Sequence, residues 1–214
     1  MSEKETGVAK LIAVSVAEPA PLGLTGLAVA ALVVGLTDIG LTPGAVRSLT
    51  IPWVVFLGAV AQFIAGIMDF KRNNIFGATA FLSYSMLWFS LGLTLNVMIF
   101  TGAGYDIRHY VFGLTGFFVF SIILTIASLM TNKTLVSILV GIDLSVGALI
   151  PHYLWEVPST YAGIFLIYTS AASFYGVAAV LLNVMAGKTI LPLGKAIWTP
   201  KQQAKDASGV RNHV

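Results

Sequence analysis

The sequence predicts an all-α integral membrane protein with six transmembrane helices, and three observations lead to that fold class. Of the 214 residues, 57% are hydrophobic and only 10% are charged, whereas roughly a quarter of the residues in a typical soluble domain are charged. Six apolar runs account for most of the chain, and the short segments between them hold nearly all of the charge. Each run is close to the roughly 20 residues that a helix needs to cross a bilayer.

The elements follow one another without room for a second, soluble domain. Residues 5–16 carry apolar side chains spaced for one face of a short helix, so residues 1–18 are expected to form an amphipathic segment in the membrane interface. Residues 19–198 form the six-helix domain, and residues 199–214 form a polar cytoplasmic tail. The predicted spans are residues 21–41, 51–68, 76–100, 111–130, 135–150 and 161–185.

The basic residues predict the orientation of these helices. Arg47 and Arg108 are the two that fall on one side, while the other ten Lys and Arg residues lie at the termini or in the loops after the second and fourth spans. Because basic loops stay in the cytoplasm, both termini are expected to be cytoplasmic. We therefore expect a multi-pass protein of the cell (plasma) membrane.

Enzymatic chemistry finds no support in this sequence. There is no cysteine, which excludes disulfides, thiolate metal sites and cysteine nucleophiles. The spans contain neither a metal-spaced group of His and Glu residues nor a nucleophile beside a base. We expect no catalytic residue, no metal, no cofactor and no nucleic-acid partner.

The segment Glu18-Pro19-Ala20-Pro21-Leu22-Gly23-Leu24 stands at the start of the first span. Prolines lack a backbone donor and push the preceding residue toward extended geometry. At membrane depth, the backbone groups that they free would need protein or water as partners, as in the broken helices of transporters. The alternative is an ordinary helix N-terminus with proline in its first turn.

A short similarity links the first and fourth spans. Residues 23–27 read Gly-Leu-Thr-Gly-Leu, and residues 113–117 read Gly-Leu-Thr-Gly-Phe. Three spans separate the two copies, so a true repeat would be inverted in the membrane. Chance is the alternative, because these residue types are common in membrane helices.

Several motifs occur together with the opening segment. They are Gly58–Lys71 at the end of the second span, Asn74–Tyr84 followed by Trp88 in the third, and Gly187–Gly194 after the sixth. In this order and spacing they resemble the acetate uptake transporter family, the acetate–succinate permeases whose hallmark is Asn-Pro-Ala-Pro-Leu-Gly-Leu. The resemblance covers nearly the whole chain, with Glu18 in place of the leading Asn.

The resemblance implies a homohexamer with six helices and one pore in each protomer. It implies transmembrane transport of acetate and related short monocarboxylates, channel-like or coupled to protons. It also implies a hydrophobic gate of Leu27, Tyr84 and Leu144, in which Leu27 replaces the family's Phe. The fifth span aligns loosely, so Ile142 is the alternative to Leu144.

No Lys or Arg lies inside a predicted span, so a carboxylate would have to be recognised by neutral donors such as backbone amides, hydroxyls and side-chain amides. Gln62 has an alternative use as a bridge between helices, and Asn96 is a further donor in the third span. The expected substrate-binding residues are Glu18, Pro19, Ala20, Pro21, Leu22, Gly23, Leu24, Thr25, Gln62 and Tyr84.

Asp143 lies nine residues into the fifth span, near the bilayer midplane, where a charged carboxylate is costly and usually functional. We expect burial to favour its protonated form, and we interpret it as the candidate for proton coupling. The alternative is a neutral acid that donates to a backbone carbonyl. A different function class, a passive pore for a small neutral solute such as urea, also remains open.

Overall fold

The computed structural model describes residues 16–41 and 47–200, and it confirms the predicted all-α architecture. Each of six helices is long and apolar enough to cross a membrane. The amphipathic segment predicted for residues 1–18 and the tail predicted for residues 199–214 lie almost entirely outside the described residues. The helices are α1 (Ala20–Asp38), α2 (Arg47–Lys71), α3 (Ile75–Thr101), α4 (Ile107–Ser128), α5 (Lys133–Trp155) and α6 (Thr160–Ala186).

Side-chain caps fix where three of these helices begin. The side-chain oxygens of Asn74, Asp106 and Asn132 accept hydrogen bonds from backbone amides two or three residues later. Such caps satisfy amides that the first turn of a helix leaves unpaired. α5 is longer than the predicted residues 135–150, because Pro151 is accommodated inside the helix and the chain turns only at Glu156.

The helices form a ring. α1 packs along α2 on one side and along α6 on the other, α2 packs on α3, α6 on α5, and α5 on α4. The contact between α3 and α4 that closes the ring is slight. Across this seam the Tyr84 hydroxyl on α3 lies 2.7 Å from the Ser121 hydroxyl on α4.

A π-helical stretch in α2 sets its distance from α1. Residues Val54–Ala61 are wound as a π-helix, a wider turn that is often found at functional sites. It brings the Leu57 carbonyl so close to α1 that only a residue without a Cβ fits opposite it, and that residue is Gly26. This close approach places Leu27 inside the ring.

The segment after α6 folds back over the end of the bundle that carries the α4–α5 loop. The Thr134 amide donates to the Leu193 carbonyl at 3.0 Å, and the Ile197 amide donates to the Leu129 carbonyl at 2.9 Å. From α6, the Asn183 side chain donates to the Leu191 carbonyl at 2.8 Å. The motif at residues 187–194 therefore has a structural use, because it ties α6 to α5.

Gly26→Ala is expected to destabilise the protein. Its methyl group would overlap the Leu57 carbonyl, a backbone atom that moves only with the π-helical stretch, and overpacking of this kind costs about 1–3 kcal/mol. Thermal unfolding of the purified protein in detergent measures the loss. The matched control is Gly116→Ala, at the corresponding position of the similar pair, where a Cβ meets no neighbour. Equal melting temperatures for both variants and the parent would contradict a steric requirement for glycine at residue 26.

Candidate functional site

Two cavities lie inside the helix ring. The outer cavity reaches Asp38 and Arg47 and has a volume of ≈ 60 Å³. The inner cavity, toward the opposite end, reaches Asp69 and Asn74 and has a volume of ≈ 90 Å³. Both exceed the roughly 10–15 Å³ that one water molecule requires. The two cavities share three lining residues, so together they outline a path through the ring that is interrupted at one level.

The shared residues are Leu27, Tyr84 and Ile142. Their exposed fractions are 5%, 4% and 5%, so their side chains fill the space between the cavities. Leu144 is 47% exposed and lines neither cavity. Residues two apart on a helix do not share a face, and the fold turns Ile142 inward and Leu144 outward. The structure thus brings the alternative residue of the fifth span to the constriction.

The proline-rich segment is the first turn of α1. The Leu22 and Gly23 amides donate to the Pro19 carbonyl at 3.1 and 3.2 Å, and the Ala20 amide lies 3.3 Å from Glu18 Oε1. Pro19 and Pro21 stand where an amide would otherwise lack a partner. The expected free amides at residues 19–23 are therefore not found, and the alternative of a proline-led N-terminus describes the segment.

Few residues of this segment face the cavities. Ala20 and Leu24 line the inner cavity, and Gly23 lies against the ring of Phe81, which also lines it. Leu22 is exposed. The remaining expected members of the segment line neither cavity, and these are Glu18, Pro19, Pro21 and Thr25. The Thr25 hydroxyl instead donates to the Pro21 carbonyl at 2.7 Å.

Gln62 is buried and lines the inner cavity. In the amide orientation that pairs donors with acceptors, its oxygen accepts from Trp88 Nε1 and from the Leu27 amide, each at 3.2 Å. It therefore joins α2 to α1 and α3 directly behind the constriction. The bridging interpretation of Gln62 thus agrees with the contacts. Asn96 is exposed and lines neither cavity.

An ion pair lies at the start of α1. The Arg72 guanidinium is 2.7 Å from Glu18 Oε2 and 3.8 Å from Asp69 Oδ1. Its hydrogen bond lowers the pKa of the Glu18 carboxyl below the ordinary value of 4.5, a shift that partial burial opposes. Asp69 is 1% exposed and lines the inner cavity. The two carboxylates converge on one arginine because α1 begins beside the end of α2.

A second ion pair lies in the outer cavity. Arg47 Nη1 is 3.1 Å from Asp38 Oδ1, and both residues line the cavity. The Asp38 side chain is buried. No Lys or Arg was predicted inside a span, because Arg47 lies before the predicted second span. In the structure α2 begins at Arg47, which brings this cation to the lining of the cavity.

Asp143 is half-buried between α4 and α5 and is held by hydroxyl groups. Thr125 donates to Oδ2 at 2.6 Å, and Ser121 donates to Oδ1. Ser121 is also 2.7 Å from the Tyr84 hydroxyl at the constriction. Hydroxyl groups are thus the partners of Asp143, where the sequence-based alternative had a backbone carbonyl. A continuous chain of hydrogen bonds joins the carboxylate to the constriction.

Ser121 and Thr125 were not predicted from the sequence. Small hydroxyl residues are frequent in membrane helices, where they hydrogen-bond across helices or to their own backbone. Their spacing of four residues puts both on one face of α4. That spacing becomes informative only once α4 is known to pack against the Asp143 face of α5.

The comparisons with known proteins agree with the fold. Residues 2–193 match the family model described as the GPR1/FUN34/yaaH family. The "Succinate-acetate/proton symporter SatP" of Escherichia coli K12 is 27% identical over 84% of this chain and 96% of its own length. "Acetate permease A" of Emericella nidulans is 24% identical over 92% of this chain and 72% of its own length.

Two further proteins bear on the chain's architecture. An uncharacterised protein of Methanothermobacter thermautotrophicus is 30% identical over 88% of this chain and 96% of its own length. The solved structure titled "Structure of the bacterial acetate channel SatP" superposes with a TM-score of 0.78 at 24% identity, covering 84% of this chain and 100% of that chain. The six-helix fold is therefore shared along almost the whole described chain.

Glu18→Gln is expected to lower stability at neutral pH through loss of the Arg72 pair. Because the folded-state pKa of Glu18 is depressed, the stabilisation is fully present above the unfolded value and disappears as the pH falls through the folded one. Thermal melts as a function of pH check this, and the deficit should vanish in acid. A double-mutant cycle with Arg72→Gln should give a coupling of about 0.2–1 kcal/mol. Strict additivity would contradict a direct pair.

Proposed function

This chain belongs to the GPR1/FUN34/yaaH family, and from that premise we propose that it transports acetate and related short monocarboxylates across the membrane. The transported acid passes from one cavity to the other through the constriction of Leu27, Tyr84 and Ile142. Acetate transport in the named relatives supports the substrate class. The observation that carries the proposal is the pair of cavities interrupted at one closed level.

The constriction has the properties of a hydrophobic gate. Two of its three side chains are aliphatic, and all three are almost fully buried. An apolar constriction of this kind closes a pore by excluding water, and it opens when side chains move slightly apart. The Tyr84 hydroxyl is the polar group at this level, so a carboxylate that passes meets one hydrogen-bonding partner there.

The outer cavity supplies the positive charge that an anion needs on its approach. Arg47 lines this cavity, and its partner Asp38 is buried beneath it. The side chains of Tyr110 and Tyr153 line the same cavity, with their ring centroids 5.8 Å apart in an edge-to-face arrangement. A guanidinium suits carboxylate recognition because it presents several donors in one plane. Arg47 therefore attracts the substrate, and the charged side chains that line the two cavities besides it are Asp38, its partner, and Asp69 in the inner cavity.

Proton coupling follows from the charge of the substrate. Acetate is an anion at neutral pH, and an inside-negative potential opposes its entry by about 2.3 kcal/mol per 100 mV. A proton that travels with it removes this penalty. Asp143 is the proposed carrier, because its hydrogen bonds reach the constriction. That connection supports transport by symport over a passive pore for a neutral solute such as urea.

The proposed setting is a homohexamer in the plasma membrane with both termini in the cytoplasm. The described surface carries many exposed large apolar side chains, which lipid or neighbouring protomers would cover. Lys71, Lys133 and Arg72 lie at the end of the bundle that holds the inner cavity. By the distribution of basic residues, that end faces the cytoplasm.

Uptake of labelled acetate into proteoliposomes tests the function. We expect acetate to enter, an inward proton gradient to drive its accumulation, and urea not to be carried. Asp143→Asn keeps the shape of the side chain and a donor but cannot release a proton. This variant should therefore retain acetate exchange and lose gradient-driven accumulation. Accumulation equal to that of the parent would remove Asp143 from the coupling mechanism.

Leu27→Ala and Ile142→Ala are expected to widen the constriction and to raise the uptake of succinate relative to acetate. Each removes a buried aliphatic side chain from the level where the cavities meet. Competition of unlabelled succinate with labelled acetate measures the change. Leu144→Ala is the matched control, because this residue is on the same helix but faces outward. A change of selectivity in Leu144→Ala as large as in Ile142→Ala would argue against this gate.

A further inference from the structure

The hydrogen bonds around Ser121 have a definite direction. An ionised carboxylate only accepts hydrogen bonds, and a serine hydroxyl has one hydrogen to give. Ser121 donates that hydrogen to Asp143. The 2.7 Å contact between Ser121 and Tyr84 must then be made with the hydrogen of Tyr84. In this state the Tyr84 hydroxyl is committed to Ser121, and it presents to the cavities only an oxygen that accepts.

One added proton allows the direction to reverse. Protonated Asp143 can donate to Ser121, Ser121 can donate to Tyr84, and the hydrogen of Tyr84 is then free to point into the pathway. The protons balance, because the three hydrogen-bonded groups gain one proton at Asp143 and each hydroxyl keeps its own hydrogen. Only hydroxyl hydrogens rotate, and the heavy atoms keep their distances. Thr125 still donates to the second carboxylate oxygen.

We propose that Ser121 transmits the protonation of Asp143 to Tyr84 and so converts the gate hydroxyl from an acceptor into a donor. This inference rests on the proposed function and explains its coupling. A carboxylate anion at the constriction is repelled by an accepting oxygen and is bound by a donating hydroxyl, and hydrogen bonds to a charged group are the stronger ones. The gate therefore favours the anion when Asp143 is already protonated.

The surroundings of Asp143 leave the hydrogen bonds through Ser121 as the connection between this carboxyl group and the transport pathway. Among the described residues, Asp143 takes part in no ion pair. α4 faces it with the hydroxyls of Ser121 and Thr125, and α3 reaches it through Tyr84. From α6, the titratable side chain at this depth is Tyr168, whose hydroxyl is engaged 2.6 Å from Ser137. Ser121 is fully buried, so bulk water does not replace the hydrogen bonds that it makes with Asp143 and Tyr84.

Ser121→Ala tests the transmission. In this variant the Tyr84 hydroxyl is released from Asp143, so acetate exchange should persist with little dependence on pH. We expect the ratio of exchange rates at acidic and neutral pH to fall to about one, because the linkage between the proton and the gate is gone. Thr125→Val is the matched control, since it removes a donor to Asp143 without touching Tyr84, and it should keep the pH dependence. A Ser121→Ala profile like that of the parent overturns the proposal.

Infrared difference spectroscopy tests the same step without transport and without the Ser121 variant. In the parent protein with isotope-labelled tyrosine, lowering the pH should produce the carboxylic-acid band of Asp143 together with a shift of the Tyr84 ring C–O band. Asp143→Asn and Tyr84→Phe assign the two bands. A Tyr84 band that stays fixed while Asp143 is protonated overturns the proposal. Coupled bands in a protein that carries no acetate would support the transmission and reject the proposed substrate.

Discussion

The constriction depends on the hydrogen bonds around the half-buried carboxylate of Asp143. A charge withdrawn from water is costly unless it is hydrogen-bonded, and two hydroxyls from the neighbouring helix meet that requirement. One of these hydroxyls continues to Tyr84. The contacts that satisfy the carboxylate therefore also join α3 to α4 at the one place where the helix ring is weakly closed.

Close packing on the opposite side of the ring completes the constriction. Gly26 admits the Leu57 carbonyl, and Gln62 holds the Leu27 backbone and Trp88. These contacts hold Leu27 in place. The contact with the Ser121 hydroxyl holds Tyr84, and Ile142 is held by its position on α5. The constriction thus has a rigid aliphatic side and a hydrogen-bonded side. Since a hydroxyl hydrogen rotates without moving heavy atoms, the proposed response to a proton belongs to the hydrogen-bonded side.

The charged groups are divided between the two ends of the pathway. Arg47 and Asp38 pair in the outer cavity, and Arg72 pairs with Glu18 beside the inner one. Each pair joins an arginine at one end of α2 to a carboxylate at one end of α1. A substrate anion thus meets positive charge that is already compensated, which favours passage over tight binding.

The amino-acid sequence alone specified the class of the protein, and its resemblance to a known family pointed to two residues of the constriction. Six apolar runs of spanning length require six helices, because a bilayer offers the backbone no other partner. The resemblance of its motifs to a known family led to Leu27 and Tyr84, and the position of Asp143 within its run made that residue a candidate for proton coupling. The six helices and the depth of Asp143 follow from composition and local spacing, which a sequence records directly, whereas the two constriction residues follow from the resemblance.

Which face each helix turns inward depends on packing between the helices. The choice of Ile142 over Leu144 depends on the rotation of α5, and apolar side chains on all faces of a membrane helix leave that rotation unmarked. The partners of Asp143, the π-helical stretch against Gly26 and the two arginine pairs are contacts between residues distant in the chain. The proline-rich segment illustrates the same limit, since its prolines predicted free amides until the fold placed them where no amide was needed.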